Sequence, residues 1–534
     1  MRLICFFFSI ISLSGCYQNK ALTQNTLIYC TDSQPLTFNP QISDDIASLD
    51  ATTHQIFSRL VSIDADTNKF VPDLAESWQR SADKLRYRFT LRANISFHQT
   101  DYFTPTRYLT ADDVLFSFNR MLDSNNPYHT INSQGANYFY NHPFTTLLSD
   151  INKIDDLTVE FVLSKPDETL LANLAAHYAV IHSKEYADQL LAKDHPEKID
   201  FQPIGTGPFK FKSYDNNGTI RYTKNALYWQ SMTNIENLIY FTNPSATKRY
   251  TKLLSGECDA ISYPAASQLD TISKNKNITL NSKSTANIAL WALNTKQDKL
   301  KNSQVRQALS EAIDTKTILH AVYFQSAVQT ETILSKDSWA LKARINDGLY
   351  NPEKAQETLQ KLNFDFSENL RILIPDSGDM FNPNFHKTAE LIQANLATIG
   401  VQSTIVTLSH SALHSTLKSG NYDTYLTGIN VHINDPDSIF RPLLSCNSTP
   451  EMGNSSNWCS AETQTLLDKS LTESYFPQRI KDYYRIQEQL YNERPYLPLA
   501  HVLRLDAISN SILNVEVNPL TGINFQNAIK KDMN

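Results

Sequence analysis

The sequence predicts a mixed α/β protein, and three segments carry that prediction. Residues 85–92 alternate between apolar and polar side chains, which is the period of a half-buried strand. Residues 110–113, Thr-Ala-Asp-Asp, form a capping-box start to a helix whose apolar residues share one face. Residues 385–399 repeat apolar residues at helical spacing, Gly400 stands where a helix ends, and residues 401–408 have the composition of a strand. This succession of helix, short turn and strand is typical of an α/β lobe.

The composition is that of a large folded protein. The chain has 534 residues, of which 41% are hydrophobic, and it contains 26 Phe and 25 Tyr. This length can bury a large core and predicts two or more domains, and the aromatic content excludes an intrinsically disordered chain. The 48 Lys and Arg residues against 55 Asp and Glu give a formal charge of −7, so we expect no nucleic-acid partner.

The N-terminus has the pattern of an export signal. A short basic start, Met1-Arg2, precedes an apolar run over residues 3–13 that is too short to span a bilayer as a helix. The run ends in Leu-Ser-Gly-Cys16, which is typical of a bacterial lipobox. We therefore predict a cleaved lipoprotein-type signal over residues 1–15, lipidation of Cys16 and a periplasmic protein anchored to a membrane by lipid. The alternative is an ordinary cleaved signal in which Cys16 falls by chance.

The cysteine count agrees with export. Four cysteines follow the signal: Cys30, Cys258, Cys446 and Cys459. An even number in an oxidising compartment indicates two disulfides, and four cysteines allow three connectivities. We favour Cys446–Cys459 as a local loop with Cys30–Cys258 as the long closure. No C-x-x-C spacing indicates a metal site.

No catalytic or cofactor motif is visible in the sequence. Phosphate-binding loops, zinc-protease motifs and nucleophile elbows are missing, so we predict no enzyme activity, no metal and no cofactor. His410 and His414 have the i, i+4 spacing of two metal ligands, but no third ligand or base accompanies them. The alternative from another functional class is a hydrolase that uses His410 or His432 as its base.

Several motifs, in order and along nearly the whole chain after the signal, resemble the family 5 extracellular solute-binding proteins, the peptide and nickel receptors of ABC importers. These motifs are Leu74-Ala-Glu-Ser-Trp78, Leu109-Thr-Ala-Asp-Asp-Val114, Gly205-Thr-Gly-Pro-Phe209, Asn225 with Tyr228-Trp229, Val305-Arg-Gln-Ala-Leu309 and Asn351-Pro-Glu-Lys-Ala355. Further segments are similar to the Sap peptide-transport branch of the family, which is linked to resistance against antimicrobial peptides. These segments are residues 97–107, Arg441-Pro-Leu-Leu-Ser-Cys446 and Asn457-Trp-Cys459.

The resemblance implies a type II periplasmic-binding-protein fold in its large, cluster C form. Lobe I would comprise residues 24–284 with an extra subdomain at about 56–195, and lobe II would comprise residues 285–502. A C-terminal return over residues 503–534 would rejoin lobe I, so that the hinge is crossed twice. The resemblance also implies the disulfides Cys30–Cys258 and Cys446–Cys459, one within each lobe, which leaves closure of the lobes free.

The same resemblance places the ligand-binding residues. Dipeptide receptors hold the peptide carboxylate with an Arg and the ammonium with an Asp, and those positions are Asp379 and His432 here. Phe381 follows the first position, and Asn434 and Asp435 keep the rest of the second motif. Asp44 and Asp45 in lobe I form another acidic rim. We expect these acidic residues to disfavour short zwitterionic peptides and to favour longer or cationic ones, because a buried Asp repels a carboxylate. Protonation of His432 near pH 6.5 would weaken the binding of cationic cargo, because the two positive charges repel each other.

The expected function is therefore the periplasmic substrate-binding component of a Sap-type ABC peptide transporter. Its partners would be a peptide ligand and the permease and ATPase subunits at the inner membrane, and the protein itself would be a monomer. Within the receptor class, haem, a polyamine or nickel remain alternative ligands, although no His cluster or haem pocket is visible. A receptor that sequesters cargo without transporting it is a further alternative.

Overall fold

A computed structural model describes residues 25–64, 67–131, 139, 142–330, 332–342 and 350–531. The predicted signal over residues 1–15 and Cys16 lie outside this range. The prediction of a mixed α/β fold is confirmed. No helix in the described ranges is long and apolar enough to cross a membrane.

The largest sheet runs through the whole molecule. Among the described residues it contains eleven strands, and from edge to edge they are Gln402–Leu408, Asn369–Pro375, Thr424–Ile429, Ile278–Leu293, Tyr496–Ser509, Ala260–Ser262, Thr26–Thr31, Asn237–Thr242, Thr219–Lys224 and Phe209–Tyr214, with Ala327–Gln329 paired to Tyr496–Ser509. We call the three strands on the Gln402–Leu408 side the second half-sheet. The five strands on the Phe209–Tyr214 side are the first half-sheet.

Two long antiparallel strands, Ile278–Leu293 and Tyr496–Ser509, join the half-sheets, and we call them the connecting strands. They pair from Ile278 opposite Ser509 to Ala292 opposite Tyr496. The register shifts between Ser284 and Ile288, so the regular ladder is interrupted there. Such an irregularity bends a strand locally, and it separates the pairing of each connecting strand into two parts.

The parallel strands of both half-sheets end towards this interruption. In the second half-sheet, Thr424–Ile429 is antiparallel to a connecting strand and places Ile429 opposite Ile288. In the first half-sheet, the strand Ala260–Ser262 is antiparallel to a connecting strand and ends with Ser262 opposite Asp506. The strand Thr26–Thr31 runs parallel to Ala260–Ser262 and therefore ends on the same side. The carboxyl ends of the parallel strands in the two half-sheets therefore face each other. In open α/β sheets, ligands bind at such carboxyl ends.

Residues 75–163 contain a separate sheet of four strands. Its order is Ala75–Arg80, Arg86–Leu91, Thr158–Leu163 and Leu148–Asp155. The predicted strand is confirmed, because Tyr87, Phe89 and Leu91 are buried while Arg86 and Arg88 are exposed. A hydrophobic core of residues drawn mainly from 42–204 joins this sheet to the neighbouring helices.

Helices cover both sheets. They are Ile46–Thr52, Ala111–Leu122, Pro127–Thr130, Pro143–Leu147, Leu170–Leu174, Lys184–Ala192, Ala246–Leu254, Leu269–Ser273, Ser303–Glu311, Thr315–Ile318, Pro352–Lys361, Phe385–Thr398, His410–Ser419, Asp437–Leu444, Ala461–Thr472 and Phe476–Glu493. The predicted helix after Thr110 is confirmed, and the Asp113 carboxylate accepts a hydrogen bond from the Thr110 backbone N–H at 2.9 Å. The helix Phe385–Thr398 is also confirmed, and Gly400 behind it has a φ of +85°.

Smaller elements complete the fold. Three two-stranded sheets pair Val61–Ile63 with Phe70–Pro72, Ile512–Leu513 with Ile529–Lys530, and Glu516–Asn518 with Gly522–Asn524. Short 3₁₀ turns lie at His177–Ala179, Pro196–Asp200, Ala266–Gln268, Asp298–Leu300 and Pro450–Met452, and a π turn lies at Leu319–Tyr323.

Both predicted disulfides are present. Cys30 and Cys258 join the strand Thr26–Thr31 to the turn before Ala260–Ser262 in the first half-sheet. Cys446 and Cys459 close a local loop behind the helix Asp437–Leu444. Neither bridge joins the first half-sheet to the second, so the confirmed pairing leaves the two half-sheets covalently linked through the chain alone.

Candidate functional site

Two loops of the second half-sheet lie at the carboxyl ends of its parallel strands. Residues 376–384, here the 379 loop, follow the strand Asn369–Pro375. Residues 430–436, here the 432 loop, follow the neighbouring strand Thr424–Ile429. These two strands are paired in parallel, so the loops lie side by side. The fold thus brings Asp379 and Phe381 close to a second group that lies about fifty residues later in the sequence. That second group is His432, Asn434 and Asp435.

Asp379 is the turn-forming residue of the 379 loop. Its carboxylate accepts hydrogen bonds from the backbone N–H groups of Phe381 at 2.8 Å and Asn382 at 2.9 Å. Burial raises the pKa of Asp379, and these two hydrogen bonds oppose the shift. Within the described ranges, no cationic side chain forms an ion pair with Asp379. Among the residues that the structure describes, the charge of this carboxylate is therefore stabilised by backbone dipoles alone.

Phe381 fixes the 379 loop against the sheet. Its ring covers Gly428, where an added Cβ would lie only 2.2 Å from the ring. The Tyr323 hydroxyl also donates a hydrogen bond to the Phe381 carbonyl at 3.0 Å. Glycine at position 428 thus allows the ring to pack directly on the strand backbone, which explains why this small residue occupies a strand interior.

The 432 loop contacts the other half of the molecule. The Asn430 side-chain amide donates to the Asp44 carboxylate at 3.1 Å, and His432 Nε2 lies 3.6 Å from the same carboxylate. His432 also packs edge-to-face on His177, with ring centroids 5.5 Å apart. The side chains of Asp44 and His432 retain 52% and 37% exposure, so the contact lies at a solvent-accessible edge.

Two further residues of the 432 loop have different partners. The Asn434 side chain donates to the Asn68 side-chain oxygen at 3.4 Å, which is another contact between the two halves. Asp435 is buried and forms a bidentate ion pair with Arg479 at 2.8 and 3.0 Å. Asp435 therefore holds the loop on the helix Phe476–Glu493 behind it.

Asp45 caps a helix. Its carboxylate accepts a hydrogen bond from the Ser48 backbone N–H at 2.9 Å and another from the Ser43 hydroxyl, at the start of the helix Ile46–Thr52. Such a cap satisfies an otherwise unpaired N–H group of the first helical turn. Of the predicted acidic pair, Asp44 is thus the member whose side chain faces the 432 loop.

Buried histidines lie behind His432. His142 stacks edge-to-face on Tyr178, and His177 packs on the same tyrosine ring. Burial lowers the pKa of His142 to about 3 and that of His177 well below its ordinary value, and the neighbouring His432 adds to both shifts. Burial also lowers the pKa of His432, while the Asp44 carboxylate opposes that change. These imidazoles are therefore neutral at pH 7.

The edge of the first half-sheet contains residues that the sequence did not reveal. Asp32 follows the strand Thr26–Thr31 and accepts a hydrogen bond from the Ser262 hydroxyl at 3.0 Å. The buried Arg249 donates to the carbonyls of Asn243, Ser262 and Tyr263. One guanidinium thus ties the ends of two strands together. The signal that could have found Asp32 is its position directly after a buried strand.

A buried ion cluster lies beneath this edge. Arg504, beside the interrupted pairing, donates to Asp50 at 2.8 Å from both terminal nitrogens and to Asp506 at 2.9 Å from Nε. The Tyr29 hydroxyl donates to Asp506 at 2.9 Å. These contacts join a helix, a first-half-sheet strand and a connecting strand.

The described part of the chain contains no group of three or more His, Cys, Asp or Glu side chains placed to hold a metal ion. His410 and His414 lie on the helix His410–Ser419, which follows the strand Gln402–Leu408.

Comparison with known proteins agrees with this architecture. The family described as "Bacterial extracellular solute-binding proteins, family 5 Middle" matches residues 69–451. The peptide transport periplasmic protein SapA of Salmonella typhimurium is 38% identical over 498 residues, covering 93% of this chain and 90% of that protein. The heme-binding protein A of Haemophilus influenzae is 35% identical over 502 residues, covering 94% and 91%.

Two solved structures share the fold over 95% of this chain and all of theirs. HbpA2 from Haemophilus parasuis has a TM-score of 0.90 at 34% identity. A dipeptide-binding protein from Pseudoalteromonas sp. SM9913, solved with Met-Leu, has a TM-score of 0.79 at 35% identity. These matches cover the half-sheets and the connecting strands alike. The chain belongs to the bacterial extracellular solute-binding proteins of family 5.

Proposed function

We propose that this protein is the periplasmic substrate-binding component of an ABC peptide transporter. The proposal rests on one structural observation: the carboxyl ends of the parallel strands in the two half-sheets face each other across the connecting strands. The chain with this arrangement is similar to a peptide transport protein and to a dipeptide-binding protein solved with Met-Leu. Relatives of this kind are solute-binding components, and the proposed protein likewise releases its cargo unaltered.

The proposed lobes follow the sheet. Lobe I comprises residues 24–284 and 503–534, with a subdomain at about 56–195, and lobe II comprises residues 285–502. The shift in register between Ser284 and Ile288 supports a hinge there, because the ladder is weakest where pairing is interrupted. The hydrophobic cores support the same division, since two of them draw their buried residues from 288–500.

In the proposed mechanism, a peptide lies between the two edges and pairs its backbone with the protein. Backbone pairing reads no side chains, so peptides of many sequences are accepted. Asp44 and Asp379 provide negative charge from opposite lobes, and Asp379 has no cationic partner among the described residues. A lysine or arginine of the cargo can supply that partner. The proposed preference is therefore for longer or cationic peptides over short zwitterionic ones.

The finer assignments rest on similarity and on the signal sequence. A Sap-type role with antimicrobial peptides as cargo is supported by the likeness to SapA. We also propose that Cys16 attaches the protein to a membrane. As a monomer, the protein would deliver its cargo to the permease and ATPase subunits.

Calorimetric titration tests the preference. We expect a Lys/Arg-rich nonapeptide to bind at least tenfold more tightly than Met-Leu. Asp379→Asn should weaken the cationic peptide by about fivefold, since one partly exposed charge pair contributes about 1 kcal/mol. Asp365→Asn is the matched control, because Asp365 caps a similar turn at the amino end of the strand Asn369–Pro375. Tighter binding of Met-Leu would contradict the proposed preference, and no binding of either peptide would contradict the function.

Haem is a second candidate ligand, favoured by the 35% identity to the heme-binding protein A of Haemophilus influenzae. His432 is the imidazole at the cleft edge that retains exposure, and it can supply an axial ligand. Titration with haem, followed by its absorbance, tests this candidate. A change in the spectrum that His432→Ala abolishes and His410→Ala preserves would support it.

A further inference from the structure

A small cavity lies at the C-terminal end of the helix Phe476–Glu493. Its volume is about 30 Å³, and its walls come from that helix, from the start of the connecting strand Tyr496–Ser509 and from Thr332 and Ile333. A water molecule needs roughly 10–15 Å³ of such space, so the cavity has room for about two waters or for one small ion. Thr332 and Tyr491 in its wall are partly exposed, so the cavity can exchange its contents with solvent.

Arg494 lines this cavity and brings a positive charge to it. The residue retains 4% exposure, and its Nε is buried without a hydrogen-bond partner. In the part of the chain that the structure describes, no carboxylate forms an ion pair with Arg494 and no acceptor receives a hydrogen bond from its guanidinium. The Tyr491 ring supports the charge, with its centroid 4.6 Å from the guanidinium carbon. A ring face attracts a cation, but it does not neutralise the charge as a carboxylate does.

The carboxylates around Arg494 are already paired with other cations. Glu493, which precedes it in the chain, forms an ion pair with Arg306 at 3.1 Å. Glu311 acts on Arg494 through its charge and opposes the lowering of the Arg494 pKa by burial. The Glu311 carboxylate, however, forms its ion pair with Lys354 at 2.7 Å. Each of these two acids thus has its own cation, and Arg494 is an additional positive charge.

Neither the helix end nor a loss of the proton removes this charge. The C-terminus of a helix favours a cation, but the last two carbonyls of this helix already accept hydrogen bonds from the side chains of Arg306 and Gln307. A guanidinium does not deprotonate in a protein. A buried charge without a partner is costly, so a counter-ion in the cavity would stabilise the folded protein.

We propose that this cavity binds a small monovalent anion of the size of chloride on the Arg494 guanidinium. Such an ion is only slightly larger than a water molecule and supplies the missing counter-charge, whereas water would leave the charge uncompensated. Leu490, Ile333 and Pro498 form an apolar part of the wall, which disfavours a strongly hydrated ion such as fluoride. Gluconate is too large for the cavity.

The bound anion holds three segments together. It lies between the end of the helix Phe476–Glu493, the start of the connecting strand Tyr496–Ser509 and the segment that contains Thr332. None of the residues proposed to contact cargo lines this cavity. The anion site is therefore independent of the proposed function, and its tests do not involve a peptide.

Thermal unfolding in two salts tests the site. Sodium gluconate is replaced stepwise by sodium bromide at constant ionic strength, so that only the identity of the anion changes. A ligand that binds only the folded protein raises the unfolding temperature. We expect a rise of about 3 °C once bromide exceeds its dissociation constant about tenfold.

Two arginine variants decide whether the cavity causes this rise. Arg494→Gln should abolish it, because the amide keeps much of the side chain and removes the charge. Arg485→Gln is the matched control, since Arg485 lies on the same helix with 59% of its side chain exposed and pairs with Glu462 at the surface. It should keep the full rise, which separates binding in the cavity from general effects of bromide on the protein.

A crystal of the unaltered protein grown in bromide locates the ion directly. With X-rays at the bromine absorption edge, we expect an anomalous peak in the cavity beside Arg494, and this measurement decides the matter if Arg494→Gln is not folded. The proposal is overturned by any of three results: no bromide-dependent rise in the unaltered protein, an equal rise in Arg494→Gln, or no anomalous peak in the cavity.

Discussion

The two edges of the proposed cleft differ in how their polar groups are satisfied. In lobe I, Arg249 donates to three carbonyls and Asp32 is paired with Ser262. In the proposed lobe II, Asp379 has only backbone hydrogen-bond partners among the described residues, and the side chain of His432 is 37% exposed. A network whose members are all paired is rigid, whereas partly paired loops adjust to a new partner. The comparison indicates that the edge of the first half-sheet is held more rigidly than the two loops of the second half-sheet.

The largest expected contrast between the two proposed lobes concerns their disulfides. Removing Cys30–Cys258, which closes a separation of 228 residues, should destabilise lobe I by about 5 kcal/mol in the loop-entropy model. Removing Cys446–Cys459, with a separation of 13, should cost about 3 kcal/mol. Urea unfolding of the two paired Cys→Ser variants measures this. Equal losses would show that chain entropy does not set the difference.

The ion cluster beneath the lobe I edge provides the next test. Arg504→Met leaves the buried carboxylates of Asp50 and Asp506 without their cation, and we expect a loss of about 3–5 kcal/mol in unfolding free energy. Arg88→Met is the control, because Arg88 is largely exposed and pairs with Glu160 at the surface, where the loss should be below about 1 kcal/mol.

A further variant checks the origin of that loss. Adding Asp50→Asn and Asp506→Asn to Arg504→Met should restore part of the stability, since the uncompensated charges are gone. If the triple variant is no more stable than the single one, lost packing rather than unpaired charge explains the effect.

The smallest expected effect concerns lobe II. Gly428→Ala places a methyl group against the Phe381 ring and should destabilise the protein by about 1–3 kcal/mol while displacing the 379 loop. Phe381→Leu, introduced together with Gly428→Ala, should recover part of the stability because the smaller side chain leaves room. Thermal unfolding of the single and double variants measures both. An unchanged unfolding temperature of Gly428→Ala would show that the 379 loop can move without loss of stability and that Phe381 does not fix it.

Part of the candidate site could be anticipated from the sequence. The family resemblance located Asp379 and His432, and the structure places both on adjacent loops at the strand ends. Sequence could not show that Asp45 caps a helix or that Asp435 is paired with Arg479, because those partners depend on how distant elements pack. It also gave no indication of Arg249, because an isolated arginine in a helix has no pattern of its own.

The local structure was determined by the sequence alone. Alternation specified the strand Arg86–Leu91, helical spacing specified Phe385–Thr398, and Gly400 marked the end of that helix. These patterns can be recognised in the sequence because each depends only on residues a few positions apart. Backbone geometry fixes the period at which side chains return to the same face of a helix or strand.

Only the tertiary structure decided which distant groups meet. It placed Arg504 on Asp50, 454 residues away, and Asn430 on Asp44, 386 residues away. It also made the carboxyl ends of the two half-sheets face each other across the connecting strands. The physical reason is that these contacts depend on the direction and register in which long strands pair, and any one segment specifies its own period but not its partner.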